Sequence, residues 1–548
     1  MSQVRQMPAP PPARVPVPDL LDLEPRLRLD DVAIDELMEI SFLGGGAADH
    51  LEEALSRPGS AADSGWQPDL FREELFLDAL VEECFQIESF GRPIPINRVF
   101  LREILCRPPL DAETVRFRQQ LLTELDTDAE VVATTESLFH DLFHLLALFK
   151  APHRRAKLDV TLFRLEILEQ AKKTVAAMAA SFQDSKSGLR RIHQTGLEIQ
   201  KTREWGLLIS LLDYENHLAR VDFTIQLGAD GKIRQLELNR LQENTENPFY
   251  VPPTRRLRDR IELIRHGFEF SGKELVNRVV HQVFLEISDW VKPLLQLQCH
   301  LAFYLGSRAF RQRSETAGLR ICLPEFSDGD RLRLDGLFNP LLFRQGTPVP
   351  SDLEAERSDS IFVITGPNSG GKTRLLQAVG LAQILGQSGL YVPAIRANLP
   401  IVDGLFASAT ERASVDQREG RLGTELLRIR RLFESLGPRS MVLVDELCSG
   451  TNPSEAVEIF LMVIQLLQRV EPVGLITTHF LDFARELAAD PPSENLQFLQ
   501  VEMDGETSTY QFIPGVAQTS LATATARRLG VTLDELEDLV DRRHRPAS

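Results

Sequence analysis

Residues Ile361 to Leu376 read IFVITGPNSGGKTRLL, and this stretch decides the fold of the last third of the chain. IFVIT is an apolar, β-branched run of strand length, GPNSGGKT is a GxxxxGKT loop, and the apolar spacing that follows is helical. A strand feeding such a loop and then a helix lets backbone N–H groups curl around phosphate oxygens while the helix directs its positive end at the same anion. Gly366, Gly370 and Gly371 give the loop its tight backbone, with Pro367, Asn368 and Ser369 between them. Lys372 would reach the β- and γ-phosphates and Thr373 would hold Mg²⁺, so ATP and Mg²⁺ are the expected ligands.

Downstream, MVLVDE (Met441 to Glu446) is a second buried strand, ending in two carboxylates. Behind a phosphate loop, Asp445 would join the Mg²⁺ shell and Glu446 would orient or deprotonate the attacking water. A third strand, Gly474 to Thr478, runs into His479, placed to sense the γ-phosphate. Three strand ends would thus meet where parallel sheets bind their ligands, at the carboxyl edge.

From about Leu319 onward, short β-rich runs alternate with helical ones: ICLPEF, IFVIT, MVLVDE, GLITTHF and the pair FLQVEMDGETSTYQFI. Residues 319–548 therefore read as an α/β domain. Residues 68–318 read as mostly helical, with apolar residues recurring at three and four in LFREELFLDALVEECFQI and LFRLEILEQAKKTVAAMAASF. Within them VDFTIQLGADGKIRQLELN, Val221 to Asn239, alternates like a β-hairpin around Asp230-Gly231. Residues 1–67 read as a flexible, Pro- and Gly-rich region with a short, partly helical acidic segment.

A chain of 548 residues has room for about three or four domains. With 43% apolar and 26% charged residues it is globular in composition. The net charge of -18, from 61 Lys and Arg against 79 Asp and Glu, argues against a simple polybasic binder of nucleic acid or membrane, although a local basic patch stays possible. Five dispersed cysteines without a CxxC pair give neither a disulfide framework nor a thiolate zinc site, and a reducing, cytoplasmic setting is expected. Prolines in MSQVRQMPAPPPARVPVPDL break any signal-peptide core. The uncharged run Leu375 to Ile395 carries Gln377, Gln383, Gln387 and Pro393, and reads as a buried helix and a turn rather than a membrane span.

Four segments together, GPNSGGKT, GLYVPA (Gly389 to Ala394), DELCSGTNPSEA (Asp445 to Ala456) and TTHF (Thr477 to Phe480), resemble the MutS family of DNA-repair ATPases. DGLFNPLLFRQGTPVPSD (Asp335 to Asp352) is similar to the segment before that family's phosphate loop, and GVAQTSLATATARRLGV (Gly515 to Val531) to its Ser- and Ala-rich helix. Upstream, ILCRPPLDAETVRFRQQLLTEL (Ile104 to Leu125) is similar to the start of its core. The resemblance implies a mostly α-helical core and lever domain followed by an α/β P-loop ATPase domain of ABC type. It further implies a homodimer with two composite nucleotide sites, Ser449 to Pro453 at the dimer interface, and helical arms that face DNA.

Departures from the family shape the expected function. Phe71-Arg72-Glu73 is read as a chance match to the family's Phe-x-Glu mismatch wedge, since it lies in a helix-period run, and mismatch-reading and connector domains before the core are not expected. A C-terminal nuclease domain is not expected either. Aligned on Glu425 and Arg428, the serine that relatives send across the dimer falls on Gly420, with Ser414 as a substitute. The expected activity is ATP binding and hydrolysis that switches a dimeric clamp on irregular or branched DNA, without classical mismatch recognition. The alternative is an ATP-driven clamp on a protein partner. A transporter subunit is disfavoured because no LSGGQ-type signature occurs.

Two weaker patterns complete the reading. His140 and His144, at i and i+4 in LFHDLFHLLALF, resemble a zinc-protease motif only superficially and read as a half-buried helix face. Basic clusters at His153 to Lys157, Arg190-Arg191, Arg255 to Arg260 and Arg308 to Arg313 are either phosphate contacts or solvated faces.

Overall fold

The structure is a computed structural model. It describes residues 16–46, 48–56, 66–89, 92–150, 160–216, 219–227, 233–243, 272–326, 331–355, 357, 359–408, 421–437, 439–447, 452–505, 507–518 and 531–537.

In chain order, helices α1 (Asp31–Phe42), α2 (Ala48–Ser56) and α3 (Leu77–Cys84) lead to a strand pair, β1 (Ile87–Ser89) and β2 (Arg92–Ile94). Helices α4 (Arg98–Leu105), α5 (Ala112–Thr127), α6 (Ala129–Lys150), α7 (Val160–Ala180), α8 (Arg190–Gln200) and α9 (Arg203–Asn216) follow. Then come strands β3 (Ala219–Leu227) and β4 (Ile233–Glu243) and the 45-residue helix α10 (Gly272–Thr316). Beyond it strands and helices alternate: β5 (Arg333–Leu337), β6 (Ser351–Glu354), β7 (Ile361–Thr365), α11 (Lys372–Gln387), β8 (Arg396–Asn398), β9 (Gly404–Ser408) and α12 (Arg421–Ser435). The series closes with β10 (Ser440–Val444), α13 (Pro453–Val470), β11 (Val473–Thr478), α14 (Leu481–Ala489), β12 (Leu496–Asp504) and β13 (Thr507–Pro514).

The chain divides into two compact units, Met1–Ser60 with Gln120–Ala302, and Ala61–Gln119 with Phe303–Ser548. Among the described residues the first unit's regular elements are helices and the β3–β4 hairpin, whose antiparallel register pairs Phe223 with Leu238; the Asp230-Gly231 turn lies outside the described residues. In its core the Phe42 ring stacks on Phe284, with centroids 3.9 Å apart, and Arg164 Nε donates to the Phe42 carbonyl at 3.1 Å.

Composition alone would leave residues 16–30 as a tail, yet Asp19, Leu20 and Leu21 are fully buried. An extended segment without a strand partner must still satisfy its backbone groups, and here long side chains do so. Leu20 N–H donates to His300 Nδ1 (3.2 Å) and Arg28 N–H to Gln296 Oε1 (2.6 Å), while Gln296 Nε2 donates to the Arg26 carbonyl (3.0 Å). Arg191, one of the candidate phosphate contacts, donates to the Asp19 and Asp22 carbonyls at 2.6 Å. Helix α2 likewise occupies the stretch where flanking glycines and serines favour a loop.

The histidine pair on α6 is tied into the helical packing. His144 Nδ1 lies 3.0 Å from Gln170 Oε1, and Lys173 Nζ donates to Asp141 at 2.6 Å. Among the described residues no group of three or more His, Cys, Asp or Glu side chains could hold a metal.

A six-stranded sheet in the order β13-β12-β7-β11-β10-β9 organises the second unit. Strands β12, β7, β11, β10 and β9 are parallel neighbours and β13 is antiparallel to β12. Every residue of β7, β10 and β11 is buried, which is why these strands read as unbroken apolar runs instead of alternating ones. Strand β5 pairs with β6 and β8 in a smaller antiparallel sheet.

Helix α11 is buried continuously from Leu375 to Gln387. Its glutamines are fixed to backbone: Gln383 Nε2 donates to the Pro400 carbonyl (2.9 Å) and Gln387 Nε2 to that of Val402 (2.7 Å). A membrane would offer no such partners, and among the described residues no helix is long and apolar enough to cross one.

The segment 61–119 packs into this second unit. Leu75 presses on Gly380 of α11 so closely that a Cβ there would meet Leu75 Cδ1 at 2.8 Å. Arg118 donates to the Ser388 carbonyl at 3.1 Å, and Gln119 to that of Pro324 at 2.8 Å. Phe71, of the wedge-like Phe-x-Glu, is fully buried and meets Trp66 edge-on. In the Arg308 to Arg313 cluster, Arg311 pairs with Glu315 (2.8 Å) and lies over the Tyr391 ring, while Arg313 lies over Phe343 and donates to the Glu83 carbonyl. The clusters 153–157 and 255–260 lie outside the described residues.

Candidate active site

Strand β7 ends at Thr365, and the loop after it turns through positive φ at Gly366 (+148), Ser369 (+70) and Gly371 (+94) before α11 begins at Lys372. Glycine is required at 366 on two counts, since that φ is strained for any L side chain and a Cβ would stand 2.6 Å from Val501 Cγ2. The result is a tight loop against the first turn of a helix, the arrangement that presents backbone donors to an anion.

Lys372 is 5% exposed, and its ammonium donates to the carbonyls of Gly366 (3.0 Å) and Pro367 (3.1 Å). Burial holds its pKa below the ordinary lysine value, a shift opposed by the charges of Glu446 and Asp445. A buried cation satisfied by carbonyls of its own loop gains from an incoming anion.

The end of β10 supplies the two acids. Asp445 Oδ2 accepts from the Thr373 hydroxyl at 2.5 Å, and its Oδ1 accepts from the Thr477 hydroxyl at 2.5 Å. Glu446 has φ +50, and its N–H donates to Thr477 Oγ1 at 2.8 Å. Thr373 and Asp445 thus bring a hydroxyl and a carboxylate together, the hard oxygen donors that Mg²⁺ takes alongside phosphate oxygens. The donor set fits that ion.

Around them opens a cavity of about 770 Å³. Of the residues singled out in the sequence, Asn368, Ser369, Gly370, Gly371, Lys372, Thr373, Asp445 and Glu446 line it. Gly366 and Pro367 stand behind the lining and contribute carbonyls to Lys372. His479 is not a lining residue; its ring lies 4.2 Å from that of Phe480. Gly420 and Ser414, and Ser449 to Thr451 of the interface loop, lie outside the described residues.

Sequence reading passed over the aromatic walls. Phe76, Tyr510 and Phe512 line the same cavity, and Phe76 (φ +53, 43% exposed) and Tyr510 (φ +60, 47% exposed) both hold left-handed backbone. Strained non-glycine backbone of this kind gathers at functional sites. Asn339, within the Asp335 to Asp352 segment, lines the cavity and binds the Arg374 carbonyl at 3.1 Å.

Residues 362–537 match MutS domain V. Among curated proteins, the chain is similar to Endonuclease MutS2 of Streptococcus thermophilus (strain ATCC BAA-491 / LMD-9), 30% identical over 306 residues, covering 54% of this chain and 37% of that one. It is also similar to Endonuclease MutS2 of Thermomicrobium roseum, 34% identical over 215 residues (39% and 27% of the two chains). A third relative, Endonuclease MutS2 of Streptococcus uberis, is 28% identical over 270 residues (48% and 34%). The matches span about a third of the length of these relatives. Residues 362–537, which include the GPNSGGKT, DELCSGTNPSEA and TTHF segments, are therefore similar to MutS domain V, and the similarity to the MutS2 proteins covers about half of the chain or less.

Proposed function

We propose that the chain is an ATPase whose nucleotide state switches a dimeric clamp on irregular or branched DNA. The observation that supports this most directly is the convergence of the buried Lys372, the Thr373 hydroxyl and the Asp445 carboxylate on one cavity beside the N-terminus of α11. Loop N–H groups from Asn368 to Gly371 would hold the β-phosphate, and Lys372 would turn from its loop carbonyls to the β- and γ-phosphates. Thr373 and Asp445 would hold Mg²⁺, which would supply charge neutralisation across those phosphates. Glu446 orients or deprotonates the attacking water, and His479 is assigned to sensing the γ-phosphate. Phe76, Tyr510 and Phe512 offer aromatic faces for the adenine ring.

In the dimer, Ser449 to Pro453 of each subunit would meet the partner's nucleotide, so that ATP and ADP states differ in contacts across the interface. Coupling of that difference to the helical unit gives the clamp. A second reading, a clamp on a protein partner, is favoured by the net charge of -18 and by the internal engagement of Arg191, Arg311 and Arg313.

Steady-state ATPase of the full chain, alone, with linear duplex and with a four-way junction, at low and moderate salt, separates the two. The DNA reading expects stimulation by the junction that fades as salt rises, because phosphate contacts release counterions. ATPase indifferent to every DNA would select the protein clamp.

A further inference from the structure

Thr477 is buried in the middle of the sheet, and a strand threonine there would ordinarily satisfy its hydroxyl on nearby backbone carbonyl groups. Its hydroxyl does something else. Glu446 N–H can only donate and the Asp445 carboxylate can only accept, so the 2.8 Å and 2.5 Å contacts fix the hydroxyl's polarity: it accepts from Glu446 and donates to Asp445 Oδ1. One side chain on β11 therefore holds both acids that end β10.

We infer that Thr477 is a positioning residue of the nucleotide site, its hydroxyl setting the plane of the Asp445 carboxylate and the left-handed backbone of Glu446 together. The inference deepens the ATPase reading and rests on it. With Oδ1 engaged by Thr477, Oδ2 is the oxygen directed to the Thr373 hydroxyl, on the cavity side. Glu446 sits at φ +50, a region that non-glycine residues occupy when neighbours over-determine them, and the hydrogen bond to Thr477 is such a determinant. Thr477 is 0% exposed, lies in register with Ile364 of β7 and is not among the residues that line the cavity, so its hydroxyl reaches the acids from behind. Groups that orient a metal-binding carboxylate in this way tune its affinity without contacting the metal.

The test uses the full chain with Thr477→Val, which keeps the shape and removes the hydroxyl, Thr477→Ser, which keeps the hydroxyl, and Thr477→Ala as a second deletion. Three quantities are measured: affinity for a fluorescent ATP analogue in EDTA, the Mg²⁺ concentration for half-maximal ATPase, and kcat. Folded Thr477→Val or Thr477→Ala is expected to keep its metal-free affinity within about threefold, to need about tenfold more Mg²⁺, and to lose about tenfold or more in kcat. Thr477→Ser is expected to restore the latter two to within about threefold of wild type. Wild-type Mg²⁺ dependence and turnover in either hydroxyl-free variant would overturn the inference, as would a Ser variant as impaired as Val. Failure of both Val and Ala to fold would overturn it too, by assigning Thr477 to sheet stability. If the wild-type chain itself bound no ATP analogue, the ATPase reading would fall instead.

Discussion

The Thr373 hydroxyl donates to Asp445 Oδ2 at 2.5 Å, although the two residues are 72 positions apart in the chain. The parallel pairing of β7, β11 and β10 brings them together: Thr365↔Thr478 and Val444↔Ile476 bring the ends of the three strands within two residues of one another, so a loop leaving one meets acids leaving another. The contact is a property of sheet order, which no local sequence window contains.

Glu446→Gln removes the carboxylate while leaving its backbone hydrogen bond to Thr477 intact. Filter binding is expected to show ATP affinity within about threefold of wild type, and single-turnover hydrolysis is expected to slow by about a hundredfold or more, the pattern of a group that acts only in the transition state. Unchanged turnover would remove Glu446 from the reaction.

Lys372 gives a pH signature. Burial lowers its pKa in the folded state, so between that lowered value and the ordinary 10.5 the unfolded chain binds more protons and stability rises with pH. The penalty of a buried charge is fully present below the folded pKa and gone above the unfolded one. Lys372→Met should therefore raise the melting temperature of the nucleotide-free protein at neutral pH by about 2–6 °C, and the gap should close as pH approaches 10.5. A Met variant that melts below wild type at every pH would contradict the burial argument.

Tyr510 stands 47% exposed on the cavity wall. Aromatic stacking on a base contributes about 1–2 kcal/mol, so Tyr510→Ala should weaken ATP binding by about tenfold and Tyr510→Phe by less than about twofold. Isothermal titration decides it, and equal affinity in all three proteins would place the base elsewhere.

Gly380 tests the docking of the segment around Leu75 on α11. An added methyl would meet Leu443 and Leu75 side chains at 2.8 Å, and overpacking of this kind costs about 1–3 kcal/mol. Gly380→Ala should lower the denaturation midpoint, and Leu75→Val in the same chain should recover part of the loss. Additive losses in the double variant would deny the contact.

Much of this site was legible in the sequence because its signals are local. Buried parallel strands must be apolar throughout, so IFVIT, MVLV and GLITT announced themselves, and the loop after β7 needs glycine where φ is positive. The uncharged run after it was readable as a buried helix and a turn because glutamines and Pro393 interrupt it, and in the structure Gln383 and Gln387 bond to backbone carbonyls. Long-range relationships were hidden. Helical periodicity shows that residues 77–84 form a helix, but not that Leu75 beside them rests on Gly380. The left-handed Phe76 and Tyr510 have no sequence signature, since such backbone is imposed on bulky residues from outside. Residues 16–30 looked loose because proline content speaks only of local stiffness, whereas their order comes from Arg191, Gln296 and His300.

An equilibrium binding isotherm of Mg·ATP on the full chain and on Lys372→Ala decides whether the cavity beside α11 binds ATP through Lys372 and Thr373. Saturable binding by the wild-type chain is expected, with a loss of at least about a hundredfold in the variant, whose circular dichroism stays native. Wild-type affinity in folded Lys372→Ala would contradict it and move the nucleotide out of this loop.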